Sequence, residues 1–183
     1  MIVVRLAIGF LLSLAAMASM PVAAQGITQT DRKAIEDRIS AFDKMMREGR
    51  TGDSLDFVPP RLLSIIAKKF GMSPADVKPS FKQQVAEAMK HVKIVSFQMV
   101  ASSATAGVTP DKSRKYMLIP TETVVEAPGT GRILSKSSTL AFQENGIWYL
   151  VRIDEGEQVL ILREAYPEFA GVEFPGGSTT PIN

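Results

Sequence analysis

The stretch His91-Val92-Lys93-Ile94-Val95-Ser96-Phe97-Gln98-Met99-Val100 decides the fold. Up to His91 apolar side chains return every three or four residues, as Phe81, Val85, Ala88 and Met89 do. From Val92 onward two sets of residues alternate one by one. A period near 3.6 gathers a stripe on one side of a helix, whereas a period of 2 sends neighbours to opposite faces of a strand. The chain therefore changes from helix to sheet near residue 92.

Working backward, three helical segments are expected. Residues 30–48 carry Ile35, Ile39, Phe42 and Met46 on one face, with Thr30 as N-cap, Asp31 in the first turn and Gly49 at the end. Pro59-Pro60 opens a second helix, since proline is tolerated in a first turn. Its apolar face is Leu62, Leu63, Ile66 and Phe70, and Gly71 stops it. Ser73-Pro74-x-Asp76 starts a third, in which Pro79 either separates a short turn or offsets the helix that resumes over Ser80–His91.

Working forward, strands are expected near 92–100, 115–127, 132–143 and 147–153. Pro120 lacks an N–H, so it calls for an edge position or a bulge. Pro128-Gly129-Thr130-Gly131 and Glu144-Asn145-Gly146 are turns, the second a tight hairpin. Asp154 caps a short helix over 155–166 that Pro167 closes, and Phe169, Val172 and Phe174 pin the chain that follows. Residues 176–183 read as a loose, flexible tail. The fold class is α+β: N-terminal helices packed on a curved, mainly antiparallel four-stranded sheet, with a short C-terminal helix. Residues 25–175 form one domain.

The first 24 residues have the layout of a secretory signal peptide. Arg5 is the basic start, Leu6–Met20 the apolar centre, and Pro21-Val22-Ala23-Ala24 supplies small residues before a cut after Ala24. An uncleaved anchor is the competing reading, because residues 6–24 approach the roughly 20 apolar residues of a membrane-spanning helix. Cleavage implies an exported, periplasmic protein with no stable membrane insertion. Cysteine is absent from the chain, which excludes disulfides, thiol catalysis and thiolate metal sites. Lys+Arg 21 against Asp+Glu 19 gives +2, and loss of Arg5 brings the balance nearer zero. No global pull toward nucleic acid follows.

The helix ending Met45-Met46-Arg47-Glu48-Gly49 and the closing hairpin Leu140–Ile153, with its segment ENGIWYLVRI, make residues 30–153 similar to the nuclear-transport-factor-2-like (SnoaL-like) superfamily. That resemblance implies a cone, in which a curved sheet wraps N-terminal helices. It does not select a function, because the superfamily hosts enzymes, carriers and interaction modules.

Candidate site residues lie in the strands. A register with 122 opposite 138, and 138 opposite 152, sets Glu122, Ser138 and Arg152 in one row, with Lys136 and Asp154 in the next. On the inner face such a row binds a polar ligand. On the outer face, the favoured reading, it is a solvated cross-strand pair, and a slip of one residue exchanges the faces. Trp148 and Tyr149 point oppositely, one into the core and the other toward a surface or pocket wall. His91 stands among basic neighbours at a helix end, where the helix terminus explains it without catalysis.

With no metal site, cofactor or catalytic set to name, the expected function is an exported, non-catalytic binding or interaction module. Its partner would be a small apolar ligand or an envelope protein, with a homodimer through the sheet face as a further expectation. The alternatives are a carrier of a lipid or other apolar molecule, an isomerase or dehydratase using Glu122, and an anchored envelope subunit.

Overall fold

In the computed structural model, residues 26–154 and 156–182 are described. The signal-peptide segment, residues 1–24, lies outside them. The elements run α1 (Gln29–Arg47), a 3₁₀ turn (Thr51–Phe57), α2 (Pro60–Lys69), α3 (Pro74–Ala88), β1 (Lys93–Met99), β2 (Thr105–Val108), β3 (Lys115–Ala127), β4 (Gly131–Glu144), β5 (Ile147–Ile153), α4 (Gly156–Ala165) and β6 (Ser178–Ile182). The helix-to-sheet change at residue 92 and the α+β class stand as the sequence reads.

Helix α1 starts two residues earlier than expected. Thr28, not Thr30, is the N-cap, because Asp31 closes a capping box with it. The Thr28 N–H donates to Asp31 Oδ2 at 2.9 Å, and the Asp31 N–H donates to Thr28 Oγ1 at 3.2 Å. Pro79 lies inside a continuous α3. Phe70 is not in the core; it is 68% exposed, one residue beyond the end of α2.

The antiparallel sheet has six strands, two more than the four expected, in the order β1-β3-β4-β5, with β2 also on β3 and β6 also on β4. Each central strand thus has an edge shared by two short partners. Pro120 sits where β3 changes partner from β1 to β2. Its carbonyl accepts the Val100 N–H at 2.8 Å. In a strand the N–H and C=O of one residue face the same edge, so the missing donor falls at that break and costs no ladder bond. The tail reading is corrected: Ser178–Ile182 is β6, paired with Arg132–Lys136. The β4 edge vacated beyond the end of β5 receives it.

Two turns set the register. Ala127-Pro128-Gly129-Thr130 closes with the Thr130 N–H on the Ala127 carbonyl at 3.2 Å and Gly129 at φ 79°, so Glu122 pairs with Lys136 and Ser138 with Pro120. Asn145 (φ 50°) and Gly146 (φ 81°) form the two-residue loop expected, which pairs Glu144 with Ile147 and so Thr139 with Arg152. The row proposed from sequence is therefore wrong by two residues on one side and by one on the other. The one-residue difference sends Arg152 to the face opposite Glu122 and Ser138.

Both faces of the sheet are covered. One face packs α4 and the chain after it: Leu140, Phe142, Val151 and Ile153 meet Leu162, Tyr166, Phe169 and Val172, with Leu62 of α2. Phe142 and Tyr166 meet edge to face at 4.9 Å and 71°. The other face packs α1: Met117, Ile119, Ala141, Trp148 and Leu150 meet Ile35, Met45 and Phe57. This second core fills one end of the space beneath α1 and leaves the other end open.

Candidate functional site

The open end is a pocket of about 390 Å³. Its helical wall is Phe42 and Met46 of α1, Thr51 and Ser54 of the 3₁₀ turn, and Phe81, Val85 and Met89 along α3 and its end. The last three stand four residues apart, one stripe of a helix. Its sheet wall is Ile94, Phe97 and Met99, then Thr121, Thr123 and Val125, then Thr139, Leu150 and Arg152. These positions alternate along each strand, save for the bulge between Ile94 and Ser96, so they share one face. Phe42 divides pocket from core, 4.9 Å from the Phe57 ring and 5.3 Å from Phe97.

Two of the pocket threonines, Thr121 and Thr139, are less polar than their formula. Thr121 Oγ1 and Thr139 Oγ1 lie 2.8 Å apart, and Thr121 Oγ1 also donates to the Ile119 carbonyl at 3.2 Å. With these two hydroxyls paired to protein, that part of the floor needs no ligand to satisfy it. The roof is clamped by ion pairs between the 3₁₀ turn and α3: Lys82 to Asp53 at 2.7 Å and Lys78 to Asp56 at 2.6 Å. Hydrogen bonds from Lys82 and Arg50 hold the Asp53 carboxyl below its ordinary pKa, so it is ionised at neutral pH.

Arg152 is the one ionisable side chain in the lining. Its Nε donates to Asp154 Oδ2 at 2.7 Å, Nη2 makes a close ion pair with the same carboxylate, and Nη2 reaches Ser135 Oγ at 3.2 Å. Its charge is compensated in place. Beside the pocket is an open cleft of about 510 Å³, lined by residues 89–93 and by Glu126, Ala127, Pro128, Gly129 and Gly131. Met89 lines both.

Of the four site residues named from sequence, only Arg152 reaches the pocket. Glu122 is on the opposite face, 44% exposed, in an ion pair with Lys136 at 3.0 Å. It is the solvated cross-strand pair, with a different partner from the one proposed. Ser138, 8% exposed, borders a shallow groove with Leu118, Pro120 and Phe174 on that same outer face. Trp148, 4% exposed, belongs to the core above the pocket. Thr121, Thr123 and Thr139 escaped the sequence reading. Their signal was the run of alternating hydroxyls, Thr121-x-Thr123 and Ser135-x-Ser137-x-Thr139, legible only once the face was known. Among the described residues, no group of three or more His, Asp or Glu is placed to hold a metal ion, and no helix is long and apolar enough to cross a membrane. No family model, curated protein or solved structure matches the chain.

Proposed function

We propose that this protein is an exported, non-catalytic binding module that holds a small apolar molecule at the open end of a cone similar to that of the nuclear-transport-factor-2-like proteins. The observation that carries the reading is the pocket between α1, α3 and the sheet. Aromatic and methionine side chains dominate its helical wall, and two of its floor hydroxyls, Thr121 and Thr139, are paired with each other. Its volume falls in the range of about 300–1,000 Å³ usual for small-molecule sites. Methionine side chains adapt their shape, which suits a site for flexible apolar ligands. Glu122 on the far face weighs against the isomerase or dehydratase alternative, because a carboxylate must reach the reacting atom. Export rests on the layout of residues 1–24, and a secreted form whose mass begins at Gln25 is its expected consequence.

The test is titration with a neutral fluorescent apolar probe, N-phenyl-1-naphthylamine. Wild type should give saturable enhancement. Thr123→Phe fills the pocket with a residue that suits a strand, and should weaken binding about ten-fold or more while leaving the urea midpoint nearly unchanged. No saturable signal from wild type, or equal binding by the folded variant, would overturn the reading.

A further inference from the structure

We infer that the ligand is a single-chain anionic amphiphile, with its chain in the pocket and its headgroup on the basic cleft where α3 runs into β1. This rests on the apolar-pocket reading above. The two cavities adjoin: Met89 lines both, and Ile94 on the pocket side is next in the chain to Lys93 on the cleft side. A molecule lying across both must therefore change from apolar to polar at that point.

The polar end has a sign. Lys90, His91 and Lys93 line the cleft, and Glu126 is the one carboxylate among its lining residues. Glu126 is engaged by Arg132 at 3.4 Å, and the partner of Lys90, Glu87 at 2.5 Å, is 66% exposed and outside the lining. Lys93 makes no ion pair among the described residues. The α3 carbonyls that would favour cations are partly taken: the N–H groups of Met89, Lys90 and His91 donate to Val85, Glu87 and Ala88 at 2.9, 3.2 and 3.2 Å. Arg152, the rival anchor, is already neutralised by Asp154. Lys90 is itself paired with Glu87, so the positive charge left uncompensated at the cleft is that of Lys93, whose cross-strand neighbour Glu126 is drawn to Arg132.

Volume limits the tail. At about 390 Å³ the pocket is near the small end for ligand sites, which suits one hydrocarbon chain rather than two. Flexible lysines make point-charge contacts with carboxylate, sulfate or phosphate alike, so the inference fixes the charge of the head and not its atom.

Displacement of the neutral naphthylamine by dodecanoate, dodecan-1-ol and dodecyltrimethylammonium tests it. Dodecanoate should bind about five-fold or more tightly than the alcohol, and the cation should bind worst. That advantage should disappear in the K90Q/K93Q double variant and shrink in about 0.5 M salt. Urea unfolding establishes that the double variant is folded. If probe binds but acid and alcohol compete equally, if the cation wins, or if the double variant keeps the preference, the headgroup assignment falls while the pocket stands. Loss of the preference in Arg152→Gln instead moves the head to Arg152 and overturns the cleft. If the probe itself does not bind, both readings fall.

Discussion

At the scale of single residues, Asp31 does more than begin a helix. It caps α1 and, through a 2.5 Å ion pair with Lys115, ties that helix to the start of β3. Burial alone would raise its pKa, but hydrogen bonds from Lys115 and Thr28 outweigh burial and hold it below 3.8. A carboxylate depressed on folding adds stability above its unfolded pKa, and that stability is lost as pH falls through the folded value. Asp31→Asn keeps the shape and removes the charge. It should cost about 1 kcal/mol in urea unfolding at neutral pH, with the gap to wild type closing in acid once the pH has fallen past the lowered pKa of Asp31. An equal gap at both pH values would mean that shape, not charge, sets the cap. The residue types of this network were visible in sequence. The Lys115 partnership was not, because 84 positions separate the pair, and no local pattern encodes a contact made by the sheet turning back under a helix.

Among elements, periodicity was informative wherever an element's own spacing decides its burial. The stripe Phe81, Val85, Ala88 and Met89 was legible as one apolar side of a helix, though not as a pocket wall, and Asn145-Gly146 fixed a hairpin. Register needed more than periodicity: a loop one residue longer or shorter reverses a face, and that alone moved Arg152 away from Glu122. Strand β6 was invisible for a different reason. Ser178-Thr-Thr-Pro-Ile182 follows two glycines and contains proline, so its own propensity is that of a tail. What makes it a strand is the unpaired edge of β4, a property of another part of the chain. The joint that delivers it is Gly177, whose N–H donates to the Asp154 carbonyl at 3.0 Å. A Cβ there would stand 2.6 Å from Asp154 Cβ and 3.3 Å from two backbone oxygens, those of Asp154 and Lys136. Gly177→Ala should therefore displace β6, destabilising the protein by about 1–3 kcal/mol. Amide exchange should quicken across 178–182 and the facing 132–136 while β5 keeps its protection. Unchanged exchange in β6 would show that the joint has room to relax.

For the whole molecule, the two covered faces of the sheet have different tasks. The face under α4 is packed by interlocking aromatic rings, Phe142, Tyr166 and Phe169, and has the character of a finished core. The face under α1 is finished only at its Trp148 end, and toward Met89 it stops short of filling the space between helix and sheet. Apolar walls left unfilled forgo the dispersion contacts a packed core would make, so a matching ligand restores them on binding. Binding to the folded chain alone must then raise its stability, by about 2.7 kcal/mol at 100 times the dissociation constant. For a domain of this size that corresponds to a rise of about 5–10 °C in the melting midpoint. Scanning calorimetry with increasing dodecanoate should show this rise in wild type. Thr123→Phe should start at or slightly above the wild-type midpoint, because its ring occupies the same space, and should gain little from the ligand. Equal shifts in the two proteins would place the stabilising contact outside the pocket. A fall in both would mean that the amphiphile prefers the unfolded chain, as a detergent does, and the space beneath α1 would then be a packing defect rather than a site.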